Sequence, residues 1–391
     1  MKRIIKISII VLMISACQKQ NSPSEKTIEG TYDFILQNQP NGSTIQLVEG
    51  DDNQAYGIIE WYTKRDTIKS SLWVEKRMDD SLLIEFENLN LKLAKLNKDY
   101  EGEISSGQNK KAVQLKFKSD NIHPDLEASK SLEMIDLDAE EASYISFKNS
   151  EELYYTDWRK KLIYYAEEIN NQYVSTPLNY DSERYKFSSV GYSKNKNILI
   201  VHGKDLSLED QKGGSIYKLT LKNETTVDSI IKYPEEINTP SYDNFPDFTA
   251  KDNIIFSSWG NPDGEPNYGK GDIFISSLND EGKFTTINIS TNINTSIADA
   301  GASLAFDDRL MVFHRGVEES GYFSDKLYYS IYKNGHWSQA KRFEAPVNIL
   351  YSYQYAPRVG PKSKYLYFTS GHLGKGKIFR YPIDKLNLNL E

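Results

Sequence analysis

The chain has one cysteine, Cys17, among 391 residues, so no internal disulfide can brace the fold. Histidine is almost as scarce, at five, and no His or Cys stands at the close ligand spacing of a zinc site. G-x-S-x-G is absent, as are a glycine-rich phosphate loop and a thiol placed for catalysis. These absences leave no catalytic motif, no metal and no cofactor to expect, although an enzyme without a motif is still compatible with them. After residue 14 no apolar run is long enough to span a bilayer, so the body is expected to be soluble, with only the N-terminus at a membrane. Positive charge is also short: 47 Lys and Arg face 55 Asp and Glu, for a net charge of -8, which argues against nucleic acid or anionic headgroups as partners.

What the chain does have begins with MKRIIKISIIVLMISAC, three cations at Lys2, Arg3 and Lys6 followed by a short apolar stretch, the form of a secretory signal. Ile14-Ser15-Ala16-Cys17 resembles a bacterial lipobox. That resemblance implies lipidation of Cys17 as the first mature residue and a membrane tether in the cell envelope. Gln18 stands where Asp is associated with inner-membrane retention, so the expected address is the outer membrane, on either leaflet.

Aromatics make up 12% of the chain, 27 of them Tyr, and Gly and Pro punctuate short alternating runs, which favours an all-β fold. The expected organisation is a signal at 1–17, a tether at 18–27, a small antiparallel barrel or sandwich at 28–119, a linker at 120–141 and a repeat domain at 142–391. In the first folded part, runs such as QAYGIIEWY and NLKLAKL alternate between turn signals at Asn41-Gly42 and Asp79-Asp80. Its EGTY start and late DYEGEIS resemble small barrel domains found ahead of other domains in exported bacterial proteins. In the linker, SLEMIDL could add a strand that closes a ring, and His123 reads as a solvated histidine before Pro124.

The repeat is carried by ELYYTDW, NILIVHG, NIIFSSW, RLMVFHR and YLYFTSG, whose second residues Leu153, Ile198, Ile254, Leu310 and Leu366 lie 45, 56, 56 and 56 apart. Each is followed by a second apolar run (KLIYY, SIYKL, DIFIS, KLYYS, KIFRY). Four short antiparallel strands per period, with one strand apolar on both faces, is the sequence form of a propeller blade, and five copies predict five blades. EINTPSYDNFPDFTAKDNIIFSS, NINTSIADAGASLAFDDRLMVFH and PVNILYSYQYAPRVGPKSKYLYFTS resemble the TolB-like, WD40-like propeller repeats of bacterial envelope proteins. The resemblance covers residues 142–391 and implies an envelope propeller that binds a protein or glycan.

Candidate site residues stand before the first strand of units three to five: Tyr242, Asp243, Asp299, Tyr353, Gln354 and Tyr355, with Arg358 just beyond. If the strands converge on the axis, these ring one mouth and form a binding surface. The alternative function is a carbohydrate hydrolase with Asp243, Asp247 or Asp299 as axial acids. Against it, short acids in connector turns commonly accept backbone hydrogen bonds, and the same position recurs in successive units. His202 and His314 read as strand-end caps level with Asp157, Ser258 and Ser370 and outside the channel, with His372 two residues past Ser370. The loop NPDGEPNYGKG, with Asp263 and Glu265, lacks the ligand count of a calcium loop.

Overall fold

The computed structural model describes residues 28–390 apart from 38, 50–53, 64–66, 77–80, 87–88, 209–212, 320–321 and 373–375. The signal, Cys17 and the tether therefore lie outside the described residues. The fold is all-β: a closed eight-stranded barrel followed by five sheets arranged as a propeller.

In the barrel, period-two alternation does the sorting. Along Leu89–Leu96, Leu91 and Leu93 are buried while Lys92 and Ala94 face solvent. The first strand, Gly30–Leu36, pairs with both its successor and the eighth strand, Asn109–Ser119, so the sheet has no free edge. Tyr32, Phe34, Ile45, Leu72, Val74, Leu91 and Leu115 fill the interior. A short helix, Pro124–Ser129, follows, and His123 caps it by accepting from the Asp125 amide through Nδ1 at 3.2 Å. The linker histidine thus has a local structural task.

Each propeller sheet has an inner strand, a second, a third and an outer one. The inner and second strands are Ala142–Phe147 and Glu152–Asp157 in blade 1, Tyr185–Ser193 and Ile198–Asp205 in blade 2, and Asp243–Phe248 and Ile254–Ser258 in blade 3. In blade 4 they are Asp299–Ala305 and Leu310–Glu319, and in blade 5 Gln354–Val359 and Tyr365–Ser370. The outer strand of blade 5 comes from ahead of blade 1: Glu133–Ile135 pairs with Lys377–Pro382, matching Ile378 to Ile135 and Arg380 to Glu133. The chain's last blade is therefore held by a strand that precedes the first, which covers an otherwise bare edge.

Second strands are buried on both faces because alternate residues enter different inter-blade cores. Leu153 and Tyr155 pack toward blade 5, whereas Tyr154 packs toward blade 2; Ile254 and Phe256 face blade 2, and Ile255 faces blade 4. By this criterion the equivalent residues are Leu153, Leu199, Ile254, Met311 and Leu366, spaced 46, 55, 57 and 55. Aligning units two and four on Ile198 and Leu310 is thus one residue early, and with a side-chain period of two that slip exchanges the two faces.

Every inner strand carries a register shift against its second strand, at Ser143/Ser146, Phe187/Ser189, Asn244/Asp247, Ala300/Ser303 and Tyr355/Arg358. In four of the five the bulge holds a residue at positive φ: Tyr144 at 49°, Phe245 at 55°, Gly301 at 63° and Ala356 at 52°. For a tyrosine and a phenylalanine that backbone region is costly, and the bulge aims them where a flat strand would not.

Candidate functional site

The connectors that lead into the inner strands account for most of the residues singled out from sequence. Asn238 accepts from the Ile216 amide at 2.7 Å and donates to the carbonyls of Ile216 and Tyr233. Asn294 repeats the arrangement on Ile273 in blade 3, and Asn348 repeats it on Leu327 in blade 4. The following threonine is then gripped by an acid. Asp243 accepts from the Thr239 amide at 2.6 Å and from Ser258 Oγ at 2.5 Å, and Asp299 accepts from the Thr295 amide at 2.8 Å and from Arg315 Nε at 2.5 Å. Burial raises the carboxyl pKa of both, that of Asp243 to about 6, against the lowering effect of these donors.

In the last connector Gln354 stands where the acid would be, and the fully buried Lys326 fills the gap. Its ammonium donates to the carbonyls of Ile349 and Ser352 at 2.5 Å and to Gln354 Oε1 at 3.1 Å. Burial pulls the Lys326 pKa down to about 8. Asp243, Asp299 and Gln354 are thus connector clamps, and none of the three borders a described cavity. Tyr242 is held with them, its ring edge-on to His202 at 5.2 Å and to Trp259 at 5.0 Å.

Asp247 and Arg358 lie at the opposite end of the axis, where the turns between inner and second strands meet. The five inner strands present one residue each at this level: Ser146, Gly191, Asp247, Ser303 and Arg358. Asp247 Oδ2 accepts from Ser303 Oγ at 2.9 Å and sits 3.3 Å from Arg358 Nε, an ion pair between two non-adjacent blades that is almost wholly buried. The turns Lys194–Asn195, Ala250–Asp252 and Phe306–Asp308 rim a cavity of about 400 Å³ outside it.

The mouth on the connector face is different in kind. Tyr144 stacks on Phe245 with ring centroids 5.2 Å apart, Tyr355 lies 5.5 Å from Tyr144, and His314 lies 5.2 Å from Phe245. Because these residues come from blades 1, 3, 5 and 4, their meeting fills the axis and makes a floor. Above it Trp158, Phe323 and Tyr353 line a cavity of about 410 Å³ with Glu141, Ser324 and Asp325 at its edge. Gly301 makes room for His314: a Cβ there would fall 2.4 Å from Nδ1. Of the residues named from sequence, the structure brings Tyr353 and Tyr355 into this mouth and sends Asp247 and Arg358 to the other.

The histidines separate by the same register. His202 and His314 are level with each other, and pairing sets them level with Thr156, Ser257 and Thr369 rather than with Asp157, Ser258 and Ser370. His202 is satisfied at both nitrogens, by Ser188 Oγ at 2.9 Å and the Gly213 carbonyl at 3.0 Å, and His372 meets Ser370 Oγ at 2.9 Å. His314 is not a satisfied cap outside the channel: it lines the mouth, and its buried Nδ1 has no partner. Burial lowers the pKa of all three, that of His202 to about 4 and that of His372 to about 3. Among the described residues no three His, Cys, Asp or Glu are grouped as metal ligands. In the loop after the second strand of blade 3, Asp263 and Glu265 accept from the amides of Thr286 and Asn288 in the outer strand.

No protein-family model matches the chain, and no curated protein does. Solved structures with a partial likeness include a glucose dehydrogenase at 9% identity, covering 64% of this chain and 98% of that one with a TM-score of 0.39. TolB from Acinetobacter baumannii is 9% identical over 89% of this chain and 79% of its own, with a TM-score of 0.36. A streptogramin B lyase is 10% identical over 90% and 98%, with a TM-score of 0.33. Likenesses this distant assign this chain no function. Its own strand pairing defines the class, an eight-stranded barrel joined to a five-bladed propeller.

Proposed function

We propose that this chain is an exported binding protein of the bacterial cell envelope, tethered to the outer membrane through lipidated Cys17, whose propeller holds a protein or glycan partner at the connector-face mouth and catalyses nothing. The observation that carries the reading is a division of labour. Asp243, Asp299 and Asp247 are all spent on internal bonds, while six aromatic rings converge on one open cavity. A pair of carboxylates for glycoside hydrolysis must face a common substrate, and these three do not. Aromatic surfaces with a few polar groups at the edge are what binding sites for large partners and sugars share.

The test is affinity capture on the full-length protein extracted in detergent, comparing wild type with Tyr355→Ala and with Cys17→Ser. Loss of a defined partner in Tyr355→Ala, with the variant still folded at the assay temperature, is the expected result. Glycan turnover that vanishes in Asp243→Asn or Asp299→Asn while Tyr355→Ala stays active would overturn it.

A further inference from the structure

One carboxylate at the aromatic mouth has no cation bonded to it. Glu141 at its edge is paired with the exposed Arg159 at 2.8 Å, but Asp325, half-buried beside Tyr144, Tyr355 and His314, makes no ion pair or hydrogen bond among the described residues. A carboxylate in that position favours a cation in the cavity, and the ring faces do the same through their quadrupoles. The protein already draws one cation to these rings: the Lys161 ammonium lies 3.1 Å from the Trp158 ring centroid. His314 adds no competing charge, since burial holds its imidazole neutral, and its Nδ1 and the Ser324 hydroxyl are buried without partners.

The surroundings fit a macromolecule. Because strands alternate in direction, the connectors into the inner strands and the loops after the second strands share one face. On those segments stand Leu206 (57% exposed), Leu208 (50%), Tyr268 (49%) and Ile297 (37%), and Phe323 (68%) stands at the start of the third strand of blade 4, Tyr322–Lys333. Phe323 lines the aromatic hollow itself, and exposed apolar side chains on the face that holds such a hollow resemble a protein-binding surface. The barrel stands at the blade 5 side of this face, fixed by Tyr351, whose hydroxyl donates to Glu60 Oε1 at 2.5 Å, and by Ser71 Oγ, which donates to the Gly371 carbonyl at 2.9 Å.

We infer that the occupant is a protein segment that presents a lysine or arginine side chain into the mouth, its ammonium or guanidinium over Tyr355 and Phe245 and facing Asp325. This rests on the binding reading above and names the chemistry of the partner. The experiment titrates full-length protein with the capped peptides Gly-Lys-Gly and Gly-Arg-Gly and their neutral isosteres carrying norleucine and citrulline, with methyl glucoside and glucosamine as further ligands. The basic peptides are expected to bind at least about tenfold more tightly than the isosteres, with affinity falling as salt rises, and Asp325→Asn is expected to erase the difference. Asp325 carries no bond whose loss would unfold the blade, and an unchanged melting temperature checks that.

Equal binding of basic and neutral peptides, or a preference that survives Asp325→Asn, overturns the inference. Binding of methyl glucoside that Asp325→Asn leaves intact and Tyr355→Ala abolishes also overturns it, while the binding reading stands. Glucosamine bound more tightly than any peptide assigns the cation to an amino sugar and overturns the protein partner. If no ligand binds and Tyr355→Ala captures the same partners as wild type, both fall.

Discussion

Asn294→Ala should cost this protein far more than a polar surface substitution, and the amount follows from three bonds. The Asn294 amide is 2% exposed; it accepts from the Ile273 N–H at 2.9 Å and donates to the Ile273 carbonyl at 2.9 Å and to Asn288 Oδ1 at 2.8 Å. Alanine leaves the Ile273 N–H, which is fully buried, without an acceptor, while the Ile273 carbonyl keeps a 3.3 Å bond from Ile289. An orphaned buried N–H costs about 1–3 kcal/mol and each ordinary bond lost about 1 kcal/mol, for a total of about 3 kcal/mol. In a folded unit of this size that is a fall of roughly 6–12 °C in melting temperature. Calorimetry on the full-length protein reads it directly. Asn238→Ala and Asn348→Ala should fall alongside, because they clamp Ile216 and Leu327 by the same geometry. A fall smaller than about 2 °C, no larger than that of the exposed Asn195→Ala, would refute the clamp.

Three further outcomes are expected. Arg358→Met leaves Asp247 buried without its cation and should destabilise by about 3–5 kcal/mol, most of it recovered in Asp247→Leu/Arg358→Met; strictly additive losses in chemical denaturation would show that the two are uncoupled. Asp243 has a folded pKa raised by burial from 3.8 to about 6, so its contribution to stability is fully present below pH 3.8 and is lost as pH rises toward 6. Asp243→Asn should flatten that part of the stability profile, and an unchanged slope between pH 4 and 6 would count against the assignment. Ile135→Asp puts a charge where Ile135 packs with Ile378 and Tyr155, and should strip the outer strand from blade 5. Size-exclusion chromatography should then show oligomers through the bared edge, whereas a monomer of unchanged stability would mean that Glu133–Ile135 does not hold the ring.

Much of the architecture was legible in the sequence because it rests on patterns that every blade repeats. A strand apolar on both faces and a polar turn recur in five copies, about 56 residues apart after a shorter first interval, and an Asn-rich connector leads into the last three; five copies make five blades. The barrel was legible from alternation alone. The register within units two and four was not: Ile198-Leu199-Ile200 and Leu310-Met311-Val312 are apolar throughout, so no polar residue marks which face is which. The mouth was hidden for a related reason. Its floor is set by bulges, where Tyr144, Phe245, Gly301 and Ala356 share a backbone conformation and no chemistry. Sequence reasoning found Tyr353 and Tyr355 because they flank the conspicuous Gln354, set His314 outside the channel, and missed Tyr144, Phe245 and Asp325; these four meet only through the closure of the ring. The connector acids were visible for the opposite reason, since each grips a threonine four residues before it. Their recurrence pointed to a structural task, and the hydrogen bonds of Asp243 and Asp299 are of that kind.

Whether the aromatic mouth holds a partner can be read in cells. The most direct measurement places a photo-crosslinking amino acid at position 323, where Phe323 is 68% exposed at the rim, in the full-length protein in cells. One dominant crosslinked protein is expected, lost in Tyr355→Ala and weakened in Asp325→Asn at equal expression. A crosslinking pattern that neither substitution changes would contradict it.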